Sequence, residues 1–201
     1  MRLFIAINFN DEILEELEYN MEDLKAESEK GSFTETENLH LTLTFLDEVE
    51  NRDLPAVQEA MVRAVMNFET EPMTLSLGGF GSFKRKGKTD RLYYREAVSS
   101  KGMRVIKNRN GAKKTIEVDR LEELQKAITR ELDYSGIYYD DKPFKPHITL
   151  ARGCRTYPDF DMEWFEDGFE DASMTVTEIA LMESMRHGSR VVYRPVYKLK
   201  L

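Results

Sequence analysis

In the stretch ENLHLTLTFLDE, residues 37–48, His40, Thr42 and Thr44 occupy every second position of a segment with strand-forming composition. Side chains at i and i+2 of a strand share a face, so the imidazole and the hydroxyls are expected to project together while Leu41 and Leu43 turn to the core. The pattern recurs in KPFKPHITLAR, with His147 and Thr149 on one face and Ile148 and Leu150 on the other. Each copy offers a nitrogen that titrates near neutrality beside a hydroxyl, on backbone that packing holds still. Two such histidines on facing strands allow concerted acid–base chemistry, one neutral to accept a proton and one charged to donate it. Hydroxyls are poor metal ligands and good donors to phosphate oxygens. The chemistry that suits the set is in-line attack on a phosphodiester. One imidazole deprotonates water, the other protonates the leaving alkoxide, and the hydroxyls hold the non-bridging oxygens.

No metal and no cofactor is called for, and the expected pH profile is a bell near neutrality. The remaining histidine, His187, stands in MESMRHGSRVVY without ligand company and is read as a loop residue. Arg152 closely follows His147 and would neutralise charge on the phosphorane. Phe45 follows Thr44. Strict alternation sends it to the core with Leu41 and Leu43, and only a bulge would turn it outward to stack on a nucleobase.

The surrounding elements must position these groups. MRLFIAINF reads as a buried strand, and NDEILEELEYNMEDLKAE as a helix with Ile13, Leu14, Leu17, Met21 and Leu24 on one face, capped by Asn10 or Asp11. A second helical stripe runs through Leu54, Val57, Met61, Ala64, Val65 and Phe68, with Pro55 in its first turn. A third covers 119–134, with Leu121, Leu124, Ile128 and Leu132 inward. PMTLSLGGFGSF and DRLYYREAV read as strands around a glycine-rich turn, and MTVTEIALMESM and RVVYRPVYKLKL as two late strands. Pro143 and Pro146 keep the approach to His147 extended. Helices and strands mix without strict βαβ alternation or a glycine fingerprint, which points to α+β with antiparallel sheets.

A 201-residue chain, 41% hydrophobic and 33% charged, has room for a real core. It shows no signal-peptide pattern and no long apolar run, so a cytoplasmic protein with no membrane partner is expected. The one cysteine has no disulfide or metal partner. The net charge of −8 argues against a nucleic-acid partner, yet residues 84–114 hold twelve Lys or Arg against Asp90 and Glu96. Overlapping that stretch, 101–115 is the most loop-like part, with Gly102 and Asn110-Gly111 as turn signals.

HLTLTFL and FKPHITLAR, with MRLFIAI at the start, LGGFGSF between them and VYRPVYKLKL at the end, resemble the two-histidine phosphoesterase superfamily. The specific resemblance is to the bacterial and archaeal RNA 2′,3′-cyclic phosphodiesterases once called 2′-5′ RNA ligases, and it runs over nearly the whole chain. It implies one domain over 1–201, built as two pseudo-symmetric lobes of antiparallel sheet flanked by helices, with the active-site cleft between them. It also implies metal-independent hydrolysis of an RNA 2′,3′-cyclic phosphate to a 2′-phosphate. On the family pattern His40 is the proton donor to the 3′ oxygen and His147 the proton acceptor. Thr42 and Thr149 hold the phosphate, Arg152 matches an arginine found after the second motif, and Phe45 falls where an aromatic stacks on the terminal base. The implied partners are RNA ends or nucleoside 2′,3′-cyclic phosphates; the sequence itself marks no obligate protein partner, and a monomer is expected. Two alternatives stay open: 2′-5′ end-joining, in which a 5′-hydroxyl replaces water, and a module that grips a terminal phosphate without turnover. The chain departs from the pattern at Asp47, where Gly is frequent, at Tyr93-Tyr94-Arg95, where a tryptophan is common, and in the basic 101–115 segment, which looks like an insertion.

Overall fold

The apolar opening becomes β1 (Arg2–Ile7), an inner strand of a four-stranded antiparallel sheet. Its neighbours are β3 (Leu41–Glu48) on one side and β10 (Glu178–His187) then β11 (Arg190–Lys200) on the other. Leu3, Ile5 and Ile7 of β1 enter the main core, while Phe4 and Ala6 join Ala180 and Met182 in a small second cluster against Tyr193. Both faces are therefore covered, which is why this strand reads as a continuous apolar run. The computed structural model describes residues 1–68, 72–84, 87, 89–107, 113–188 and 190–201.

A second antiparallel sheet runs in the order β2 (Ser28–Phe33), β8 (His147–Thr156), β5 (Arg91–Ser99), β4 (Met73–Lys84), β9 (Ser173–Val176). Helices α1 (Asp11–Ala26), α2 (Leu54–Met66), α3 (Arg120–Tyr134) and the short α4 (Met162–Glu166) flank the sheets, giving an α+β architecture. The Asn10 side chain accepts the Ile13 amide at 3.1 Å and Asp119 accepts that of Glu122 at 3.1 Å, so the stripes of α1 and α3 start at a side-chain cap. Pro55 sits in the first turn of α2. Leu17, Leu24, Met61, Leu124 and Leu132 carry the helical stripes into the core. No described helix is long and apolar enough to cross a membrane.

Several local expectations change. The 101–115 segment is not a loop: β6 (Lys101–Lys107) and β7 (Lys113–Asp119) pair as a separate two-stranded ribbon, in keeping with its β-branched Val105, Ile106, Thr115, Ile116 and Val118. Gly102 lies inside β6, where a Cβ would approach the Arg120 side chain to 3.1 Å; Asn110-Gly111 lies outside the described residues. Gly78, Gly79 and Gly81 are within β4 rather than in a turn, the first two forming a bulge between Leu77 and Phe80. The run from Met174 to Met185 divides at Thr177 into β9 and β10, which belong to different sheets. His187 is the exposed last residue of β10, paired with Arg190, not a loop residue. Strand β2 and helix α4 had no expectation attached to them.

The largest change concerns β3. Ile5 pairs with Thr44 and Ala6 with Thr42, so Leu43 has no partner on β1 and the strand bulges there. The bulge inverts the alternation: Thr44 is 4% exposed and Phe45 is 46% exposed. The expected face of His40, Thr42 and Thr44 is thus made of His40, Thr42 and Phe45. Among the described residues the buried Thr44 hydroxyl has no hydrogen-bond partner. Such a group costs about 1–3 kcal/mol, so Thr44→Val, nearly equal in shape, is expected to stabilise the fold by about 1 kcal/mol. For a chain of this length that is a melting point higher by about 2–4 °C, with activity within about two-fold of the parent because the side chain faces away from the cleft. A melting curve at or below the parent's would show that the hydroxyl is satisfied after all.

Candidate active site

His40 immediately precedes β3 and His147 opens β8, so each sheet brings one motif to the same place. The two imidazoles are held in the same way. His40 Nδ1 lies 2.7 Å from the carbonyl oxygen of Asn38, and His147 Nδ1 lies 2.6 Å from that of Lys145, in each case two residues upstream. A carbonyl only accepts, so Nδ1 carries the proton and donates it, and the neutral ring keeps its free lone pair on Nε2. The Thr42 hydroxyl meets His40 Nε2 at 2.9 Å.

Six residues expected at the site, His40, Thr42, Phe45, His147, Thr149 and Arg152, line one cleft of about 300 Å³, while Thr44 does not. Arg152 reaches it by the same device as Phe45. Tyr94 pairs with Thr149 and Tyr93 with Ala151, so Leu150 is passed over and β8 bulges one place after its threonine, as β3 does. The residue after the bulge, Ala151, is buried like Thr44, and the next, Arg152, points outward with its Nη2 3.4 Å from Thr149 Oγ1. The two motifs are therefore equivalent in backbone and different in what they deliver. One ends in an aromatic ring and the other in a guanidinium.

Other residues had no signal in the sequence. Asn38 donates from its amide nitrogen to Val191 O at 2.8 Å and accepts the Tyr193 amide on Oδ1 at 3.0 Å, tying the turn that carries His40 to the start of β11. Arg190, Val191 and Tyr193 of β11 also line the cleft. The Tyr193 ring meets His40 edge-on at 5.0 Å, and Phe4 lies at 4.8 Å from the same imidazole. On the opposite side Phe83 and Tyr94 flank His147 at 5.2 and 5.5 Å. Tyr94 lies directly across Gly81, where a Cβ would come within 2.4 Å of its ring. The neighbours of Tyr94 serve the core: Tyr93 stacks on Phe80, and buried Arg95 lies over Phe169 and donates to Gly78 O. Asp47 adopts φ = 55°, the only positive φ of a non-glycine among the described residues, a conformation that Gly takes freely and Asp tolerates.

Burial is the main cause that pushes His40 down to about 4, against the raising effect of its bond to Asn38; Arg152 and His147 add electrostatic pressure in the same direction as burial. His147 is also lowered, by burial first and then by Arg152, against its bond to Lys145. Both imidazoles are thus mostly neutral at pH 7. An anion between them opposes these effects and raises both values. A reaction that needs one ring charged and one neutral is expected to show a kcat/KM bell centred below pH 6.5, the ordinary histidine value, and a kcat bell nearer neutrality. Superimposable profiles for the two parameters would show that bound substrate does not act on these groups.

A sequence model of the 2′-5′ RNA ligase superfamily matches residues 11–188. The RNA 2′,3′-cyclic phosphodiesterase of Thermotoga maritima is 31% identical over 200 residues, covering 99% of this chain and 92% of that protein. Among solved structures, Escherichia coli LigT in its apo form is similar with a TM-score of 0.67 and 27% identity, over 99% of this chain and 96% of that one. The same protein complexed with 3′-AMP gives 0.64 and 25%, over 100% and 97%.

Proposed function

The chain belongs to the 2′-5′ RNA ligase superfamily, and from that premise we propose that it is an RNA 2′,3′-cyclic phosphodiesterase that opens the ring to a 2′-phosphate by paired histidine catalysis. The observation that carries the reading is the repeated mounting of the two imidazoles. Each has Nδ1 fixed on a carbonyl, which leaves Nε2 as the nitrogen for chemistry, that of His40 beside the Thr42 hydroxyl, and both rings line the cleft that holds Thr42, Thr149 and Arg152. In this reading His147 Nε2 takes a proton from water as the water oxygen attacks phosphorus. Arg152 and the two threonine hydroxyls hold the non-bridging oxygens as charge builds on them. His40, protonated once the anion has raised its pKa, delivers its Nε2 proton to the departing 3′ oxygen. Phe45 offers a ring for the terminal base. The whole sequence of steps uses one proton donor, one acceptor and water. Among the described residues no three His, Cys, Asp or Glu side chains converge to hold a metal ion, and the reading assigns no step to one.

The test is turnover of a nucleoside 2′,3′-cyclic phosphate, and of a short RNA ending in one, with EDTA present, followed by identification of the product isomer. A 2′-phosphate supports the reading. A 3′-phosphate would keep the two-histidine chemistry and reverse its polarity. An absolute need for added divalent metal would overturn the mechanism, and tight binding of phosphate ends without turnover would favour the binding module.

A further inference from the structure

The basic ribbon takes no part in the cleft chemistry, and its charges are arranged unevenly along its length. Near its root each cation has a carboxylate partner: Lys101 meets Asp119 at 2.9 Å, and Arg104 pairs with Glu123. The root is also fixed to α3, since the Ser99 hydroxyl accepts the Leu121 amide and donates to Asp119. Farther out the pairing stops. Lys107 stands directly opposite Lys113, and Lys114 opposite Ile106, all exposed, and among the described residues none of the three lysines has a carboxylate partner. Like charges facing each other across an antiparallel ladder destabilise it. On the same face as Lys107, Met103 and Val105 are each 60% exposed. A ribbon shaped only for its own stability would place an acid opposite Lys107 and polar groups at 103 and 105. Lys107 and Lys113, held together against their repulsion beside exposed Val105 and Met103, with Glu117 of that face toward the root, suit a flexible polyanion whose phosphates neutralise the lysines and whose sugars and bases lie against the two aliphatic side chains.

We propose that the outer part of the β6–β7 ribbon binds the body of an RNA strand whose end occupies the cleft. The proposal rests on the RNA-end reading given above and narrows it, because it makes a polynucleotide, rather than a free nucleotide, the preferred substrate. The span sets a length. Glu96 is the cross-strand partner of His147, and Lys107 follows it along the chain by eleven residues. At roughly 3.3 Å per residue the distance is at most about 36 Å. A stacked single strand, at about 3.4 Å per nucleotide, covers that in at most about ten nucleotides.

The experiment uses the full chain and the variants Lys107→Glu and Lys107→Glu/Lys113→Glu. Each is assayed on a nucleoside 2′,3′-cyclic phosphate and on an RNA of about fifteen nucleotides ending in a cyclic phosphate, long enough for the span. The double variant is expected to lose about ten-fold in kcat/KM on the RNA at low salt and to flatten the salt slope by about 0.7 per lost phosphate contact, with the mononucleotide rate unchanged within about two-fold. The single variant sets opposite charges across the ladder, so its melting point is expected at or above the parent's while its RNA rate falls. That divergence separates lost recognition from lost structure. An unchanged RNA rate and salt slope, or an equal loss on both substrates, would overturn the proposal. If the parent turns over neither substrate, it is the reading of the cleft that fails. The ribbon is then judged by RNA binding in fluorescence anisotropy, where equal affinity and salt slope for parent and double variant would overturn it separately.

Discussion

His147→Ala is expected to lower kcat/KM on a 2′,3′-cyclic phosphate by about 10²–10⁴-fold, the range that a positioned general acid or base contributes, with a melting point close to the parent's. The ring is partly exposed at the start of β8 and is held by a hydrogen bond to a local carbonyl, so its removal leaves the core intact. His40 is expected to matter as much for turnover but is packed against Phe4 and Tyr193, and there the better variant is His40→Gln, which fills more of the space. The two can be told apart by the leaving group. A phosphodiester that releases a phenolate needs no proton at the departing oxygen, so it is expected to restore rate to the variant lacking the acid and not to the variant lacking the base. Rescue of His40→Gln alone supports His40 as donor, and rescue of His147→Ala alone exchanges the roles. Near-parental rates in both variants on the cyclic phosphate would remove the paired mechanism altogether.

The sequence was most informative where chemistry and local pattern coincide. His40 with Thr42 and His147 with Thr149 need only the two-residue period of a strand, and the caps at Asn10 and Asp119 need only the residues beside them. What could not be read is what another strand decides. Thr44 and Phe45 exchanged places because β1 passes over Leu43, and no feature of LTLTFL marks that position as a bulge. The same holds for Arg152, which strict alternation from His147 would turn into the core and which reaches the cleft because β5 passes over Leu150. Asn38 and Tyr193 meet through the pairing of β10 with β11 and of β1 with its neighbours, a relation invisible to any local window. In the ribbon, turn residues and lysines outweigh the β-branched positions as a local signal, although cross-strand pairing satisfies its backbone whatever the charge.

The paired bulges also decide which charged group serves both histidines. Arg152 lowers the pKa of each, and it faces the cleft through the bulge in its own motif while the matching position of the other motif holds Phe45. Removing it is therefore expected to have two separable effects. Arg152→Ala loses a cationic donor to the phosphorane, worth about 10²–10³-fold in kcat by analogy with a deleted oxyanion donor. It also relieves the positive field on both imidazoles, so their pKa values rise and the kcat/KM bell moves to higher pH. Arg152→Lys keeps the charge but not the planar fork. Its bell is expected to stay where the parent's lies while its rate recovers only in part, because a point charge cannot hold two phosphate oxygens in parallel. Parental rate in Arg152→Ala would leave the guanidinium as an ornament of the cleft rim. A bell that moves by the same amount in both variants would mean that geometry, not charge, couples Arg152 to the histidines. On the proposed function, a bulge one place after each threonine has a reason: it turns outward the one position in each motif where the two halves of the site differ, which suits a symmetric pair of imidazoles to a substrate whose two ends, base and phosphate, are not alike.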